Sequence, residues 1–150
     1  MFCIGLGLNF WEIDLMIRKV THVPLLVKNQ DEALKWFTEK LGFVVRSDLP
    51  FPGGEGRWLT IAPSDQQDLE IVLQPPEWGL GDDESRKEVI GRTPGWVIAT
   101  DDCRGDYELF QSRGVKFRSP PEDLPWGVSA VFEDLYGNSH NLLQPHPFDG

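Results

Sequence analysis

The chain has 150 residues, 40% hydrophobic and 25% charged, with 24 acidic against 14 basic side chains and a formal charge of −10. That length and balance suit one globular domain burying roughly two-thirds of its unfolded surface, and they argue against disorder. The negative charge repels phosphate backbones and anionic lipid, which sets nucleic acid and membrane aside as partners and favours a neutral or cationic small molecule.

The first stretch, MFCIGLGLNFWEIDLM, has no basic n-region, and Glu12 and Asp14 interrupt it before transmembrane length is reached. No targeting signal is read. Residues 1–17 are assigned as an N-terminal extension, in which residues 1–15 stem from an upstream start or form an extra strand or clasp against a partner subunit. Cys3 and Cys103 make neither a disulfide framework nor a zinc spacing, which fits a reducing cytoplasm.

A first module is expected over residues 18–75. VTHVPLLV reads as a strand covered on both faces, with Pro24 marking an edge or bulged position. NQDEALKWFTEKLGF reads as a helix: Asn29 and Glu32 have capping-box spacing, Gly42 supplies the C-terminal left-handed position, and Ala33, Leu34, Phe37 and Leu41 form one stripe. FVVRSD, RWLTIAP and DLEIVLQ follow as three strands, with LPFPGGEG and SDQQ as connections.

Residues 76–94, rich in turn residues and acidic side chains and with a poor helical pattern, read as a linker. Residues 95–150 then repeat the order. GWVIAT is a strand, DDCRGDYELFQSRG a capped helix ending at Gly114, VKFRSPP a strand, and GVSAVFED and SHNLLQP pair around LYGN. A shift of 72 to 73 residues lays Gly42 on Gly114 and Phe37 on Phe110, and both halves end in LQP. The architecture is therefore α+β with tandem βαβββ modules.

The stretches VKNQDEALKWFTEKLGFVVRSD, RWLTIAP, DLEIVLQ, TDDC, RGVKF and WGVSAVFEDLYGNSHNLLQP together resemble the vicinal oxygen chelate superfamily over about residues 18–145. That superfamily includes glyoxalase I, bleomycin-resistance proteins and extradiol dioxygenases. The resemblance implies an incomplete eight-stranded barrel around a cleft, often with modules of two subunits completing it, and hence a homodimer. One such scaffold hosts lyases, isomerases, dioxygenases and drug-sequestering proteins, so the activity does not follow from it.

Glyoxalase-like members draw a His and a Glu from each module as metal ligands. Carried onto this chain, the first pair falls on His22 and Glu70, with Gln74 sharing the strand parity of Glu70. The second pair falls near Gly95 and on Asn141, neither a good ligand. A divalent ion held by imidazole and carboxylate needs three or four protein donors, so the implied site, His22 with Glu70, is incomplete. Loss of the second carboxylate also removes the base that proton transfer would use. Alternate side-chain direction puts Thr21, Val23, Leu25 and Val27 toward the helix and His22 toward the cleft. His140 points to the opposite face from Asn141, Glu133 and Asp134 belong to a strand end and turn, and His146 lies in a solvated tail.

Six tryptophans supply a different chemistry, since flat aromatic faces bind planar or cationic ligands. Trp58, Trp78 and Trp126 are placed at the cleft rim, Trp36 and Trp96 in packing. Cys103 opens a helix, but no base stands near it in sequence, so it is read as a packing residue. The leading expectation is a small organic molecule bound in the intermodule cleft by His22, Trp58, Glu70, Gln74, Trp78, Trp126 and Asn141, without a complete metal site. The alternative is a divalent-metal-dependent lyase, isomerase or dioxygenase that recruits Gln74, His140 or Glu133.

Overall fold

The computed structural model describes residues 16–79 and 81–147; the expectations for residues 1–15 lie outside them. The first half folds as β1 (His22–Leu26), α1 (Gln30–Leu41), β2 (Val44–Pro50), β3 (Arg57–Ala62) and β4 (Glu70–Gln74). Its sheet runs β1-β4-β3-β2, with β1 parallel to β4 and the other pairs antiparallel. After α2 (Asp83–Val89), the second half gives β5 (Val97–Ala99), α3 (Cys103–Ser112), β6 (Lys116–Leu124), β7 (Gly127–Glu133) and β8 (Ser139–Pro145), in sheet order β5-β8-β7-β6. Each half is the same βαβββ unit, and neither sheet closes on itself.

Helix α1 begins where Asn29 accepts the Glu32 N–H at 2.9 Å and stops at Gly42, whose φ of 74° costs glycine little. The reciprocal arm of a capping box does not form. The Tyr136 hydroxyl stands between the Asn29 backbone N–H and the Glu32 carboxylate, donating to the latter at 3.1 Å. Ala33 and Phe37 of α1 are buried against Leu25, Val27, Leu59, Ile61, Ile71 and Leu73 of the sheet. Each large apolar side chain so buried contributes on the order of 1.5–3 kcal/mol. The second core repeats the pattern with Cys103, Phe110, Val128, Ala130, Phe132 and Leu142.

Two local expectations change. Strand β1 is covered on one face only: Leu25 and Val27 are buried, while His22 and Pro24 are exposed. Pro24 is tolerated because β1 is an edge strand. The linker contains a helix, α2, which no apolar periodicity announced because none of its residues is buried. Asp82 caps it and acidic and basic residues suit its two ends.

The halves pack through α1. Trp36 and Leu41 reach the second core, while Trp96, Ile98, Leu135 and Tyr136 pack against the first. Lys40 Nζ donates to the Arg113 carbonyl and Arg113 Nη1 to the Lys40 carbonyl, tying the C-terminal ends of α1 and α3. A cavity of about 570 Å³ lies between the halves, lined from the first sheet by Val23, Leu69 and Ile71 and from the second half by Trp96 and Ile98.

Candidate functional site

Strand register decides which face carries the polar groups. His22 pairs with Glu70 and Val23 with Ile71 across β1 and β4. Because side chains alternate, the residues that line the cavity between the halves, Val23 and Ile71, are out of phase with His22 and Glu70. The expected inward histidine therefore lies on the face of the first sheet turned away from α1, and not in the intermodule cavity. Parity separated the two faces correctly, but it could not tell which one the second half would cover.

On this outer face five of the seven candidate residues meet. His22 Nε2 is 3.7 Å from Glu70 Oε1, and its Nδ1 is 2.8 Å from Thr21 Oγ1. Glu70 Oε1 accepts the hydroxyl of the fully buried Thr60. The His22 ring stands edge-on to Trp58 with centroids 5.5 Å apart. Trp58 and Trp78 lie parallel within 6°, their centroids 6.5 Å apart, and Phe51 packs on Trp78 at 5.0 Å. Gln74 donates its side-chain N–H to the Trp78 carbonyl at 3.3 Å. Phe51 completes the aromatic group and was not singled out from sequence, where its place in a Pro- and Gly-rich turn read only as a connection.

The remaining two candidates belong to the second sheet. Asn141 pairs with Val97 in β5 and accepts the Ser129 hydroxyl at 2.6 Å. Trp126 is exposed in the β6–β7 turn, where its carbonyl accepts the His146 N–H. The strand partner of Asn141 is thus Val97, two residues beyond Gly95. Gly95 has a separate reason to lack a side chain: a Cβ there would lie 1.7 Å from the Ser139 carbonyl oxygen and 2.9 Å from His140 Nδ1.

His140 is buried on the helix side of β8, with only 1% of its side chain exposed. Its Nδ1 accepts the Trp96 backbone N–H, so the proton sits on Nε2, which donates to Asp134 Oδ2 at 2.8 Å. The Asp134 carboxylate also accepts the backbone N–H groups of Tyr136 and Asn138 and the Asn138 side-chain amide. Asn138 in turn accepts the N–H and hydroxyl of Thr93. Four donors around one buried carboxylate make a structural clasp between the β7–β8 turn and residues 93–96. Glu133 is taken by Arg118 and Lys116, and the Arg118 hydrogen bonds hold its carboxyl below the ordinary range.

The donor set does not fit a mononuclear divalent centre. His22 and Glu70 supply two ligands where three or four are needed. Among the described residues no group of three or more His, Cys, Asp and Glu stands close enough to hold an ion. Gln74, His140 and Glu133 each have the other partners given above. Cys103 is also not a nucleophile by environment: its fully buried thiol points at the Leu142 carbonyl, and burial pushes its pKa up. Among the described residues no helix is long and apolar enough to cross a membrane.

Comparison with known proteins agrees with this architecture. Residues 19–142 match the model of the Glyoxalase/Bleomycin resistance protein/Dioxygenase superfamily. The YurT protein of Bacillus subtilis (strain 168) is 32% identical over 127 residues, spanning 84% of this chain and 98% of the relative. The solved structure of UcmS2 superposes with a TM-score of 0.75 at 36% identity, covering 85% of this chain and 98% of that one. TnmS3, an antibiotic binding protein from Streptomyces sp. CB03234, gives 0.70 at 32% identity, covering 88% and 99%. Duplicated βαβββ units, a match along most of the sequence and these relatives place the chain in the Glyoxalase/Bleomycin resistance protein/Dioxygenase superfamily.

Proposed function

We propose that the protein binds a planar organic molecule against the outer face of its first sheet and holds it without a metal ion. The observation that carries this is the parallel pair Trp58 and Trp78, with His22 edge-on beside it and Glu70 behind. Aromatic faces attract planar rings and cations by about 0.5–2 kcal/mol each, and the single carboxylate and the net charge of −10 both favour a cationic or neutral guest. TnmS3 is described as an antibiotic binding protein, and its likeness to this chain supports sequestration over turnover as the class of activity.

The site is completed, in this reading, by a second copy. The outer face of one first sheet takes the second sheet of another subunit, which brings Asn141 and the exposed Trp126 to the ligand in a cytoplasmic homodimer.

The test is a thermal-shift screen of planar dyes and polycyclic antibiotics on tag-free protein, with and without divalent metal. A ligand that binds N and not U raises the melting temperature as its concentration exceeds Kd. The expected result is a shift that does not need metal and is lost in Trp58→Ala. Stoichiometric nickel, zinc, iron or manganese that copurifies and is lost in His22→Ala would overturn the reading in favour of a metal-dependent enzyme.

A further inference from the structure

Trp78 belongs to no strand or helix, so something else must hold its ring parallel to Trp58. It sits in the turn that follows β4, where its N–H donates to the Pro75 carbonyl and Gly79 takes a φ of 111°. The helix after this turn, α2, buries none of its residues, so apolar packing does not secure it. Its link to the turn is polar. Arg86, with 17% of its side chain exposed, donates Nε–H to the Pro76 carbonyl at 2.5 Å and is oriented by Asp83, whose carboxylate accepts from Nη2 at 2.6 Å. The guanidinium also lies against Gly79, within 3.5 Å of where a Cβ would stand.

We propose that Arg86 is a positioning residue: through the Pro76 carbonyl and Gly79 it fixes the turn that carries Trp78, and thereby sets the affinity of the aromatic face for planar ligands. This rests on the binding reading above for its effect on ligand, but not for its effect on Trp78. A charge-assisted hydrogen bond to the Pro76 carbonyl, three residues before a glycine at φ 111°, is the kind of contact that removes alternative turn conformations before a ligand arrives.

Fluorine NMR of the full-length chain labelled with 5-fluorotryptophan, assigned with Trp58→Phe and Trp78→Phe, reads the turn without any ligand. Arg86→Gln should move and broaden the Trp78 line while leaving those of Trp36 and Trp96, which pack in the cores, in place. Asp83→Asn, an exposed change that removes the orienting carboxylate, should move the Trp78 line in the same direction and serves if Arg86→Gln folds poorly. Proflavine, a planar cation, is the binding probe: its affinity should fall about tenfold in Arg86→Gln, recover in part in Arg86→Lys, and do so at an unchanged melting temperature. An unmoved Trp78 line overturns the proposal whatever proflavine does. So does a moved line with unchanged affinity. If the unaltered protein does not bind proflavine, the planar-ligand reading fails, and the Trp78 line alone decides the role of Arg86 in placing that ring.

Discussion

At the scale of single residues, the tightest constraints lie in the clasp between the β7–β8 turn and the segment that leads into β5. Gly91 and Gly95 approach the β7–β8 turn so closely that a Cβ would fall 1.9 Å from the Tyr136 carbonyl oxygen or 1.7 Å from that of Ser139. Gly95→Ala should therefore cost about 3 kcal/mol, at the upper end of overpacking effects, measured by urea unfolding. Asp134→Ala should cost a similar amount, on the order of 3–5 kcal/mol, because it strands the donors of Asn138 and His140 in a buried site. A loss below 1 kcal/mol in either variant would contradict the packing described. Sequence could assign Gly137 and Asn138 to a turn from their tolerance of positive φ, yet it gave no sign that Asn138 reaches back to Thr93. That contact spans 45 residues, and no local rule reports on it. His22 and Glu70 were legible as a pair through the family resemblance, and strand alternation gave the face of His22; the lining of the intermodule cavity was not, because it depends on which face the other half covers.

At the scale of elements, Tyr136 joins the turn of the second module to the first turn of α1 through Asn29 and Glu32. Burial, with Glu32 adding to it, pushes its pKa up from 10 to about 12. The folded state therefore holds the phenol proton more tightly than the unfolded chain does. Its contribution to stability is whole below pH 10 and is lost as pH rises from there to about 12. Unfolding monitored across that range should show this loss in the unaltered protein and a shallower one in Tyr136→Phe; equal slopes would show that the phenol has no such coupling. Two elements illustrate how far local signals reach. The cap, stripe and terminal glycine of α1 all stand in the sequence, and the helix forms where they say. Helix α2 has caps and suitable end charges but no apolar stripe, so pattern reading passes over it: a helix that buries nothing leaves no periodicity.

At the scale of the whole molecule, the duplicated βαβββ order was readable because each unit repeats its own punctuation, from a capped helix to a final LQP. How the halves lean on each other was not, since Trp36, Phe37 and Trp96 meet through contacts some 60 residues apart, of which aromatic content gives no direction. That arrangement turns His22, Trp58 and Glu70 outward, in the reading proposed toward a ligand and a second subunit. Light scattering of the purified chain should accordingly give a dimer, and a monomer at binding concentrations would remove Asn141 and Trp126 from the site. The central claim is that the aromatic face binds without a metal. Titration of proflavine into tag-free protein, before and after exhaustive chelation, tests it most directly. Equal affinity in both samples, with about a tenfold loss in Trp58→Ala, is the predicted result. Binding that vanishes on chelation and returns with one equivalent of a divalent ion, in the unaltered protein but not in His22→Ala, would contradict it.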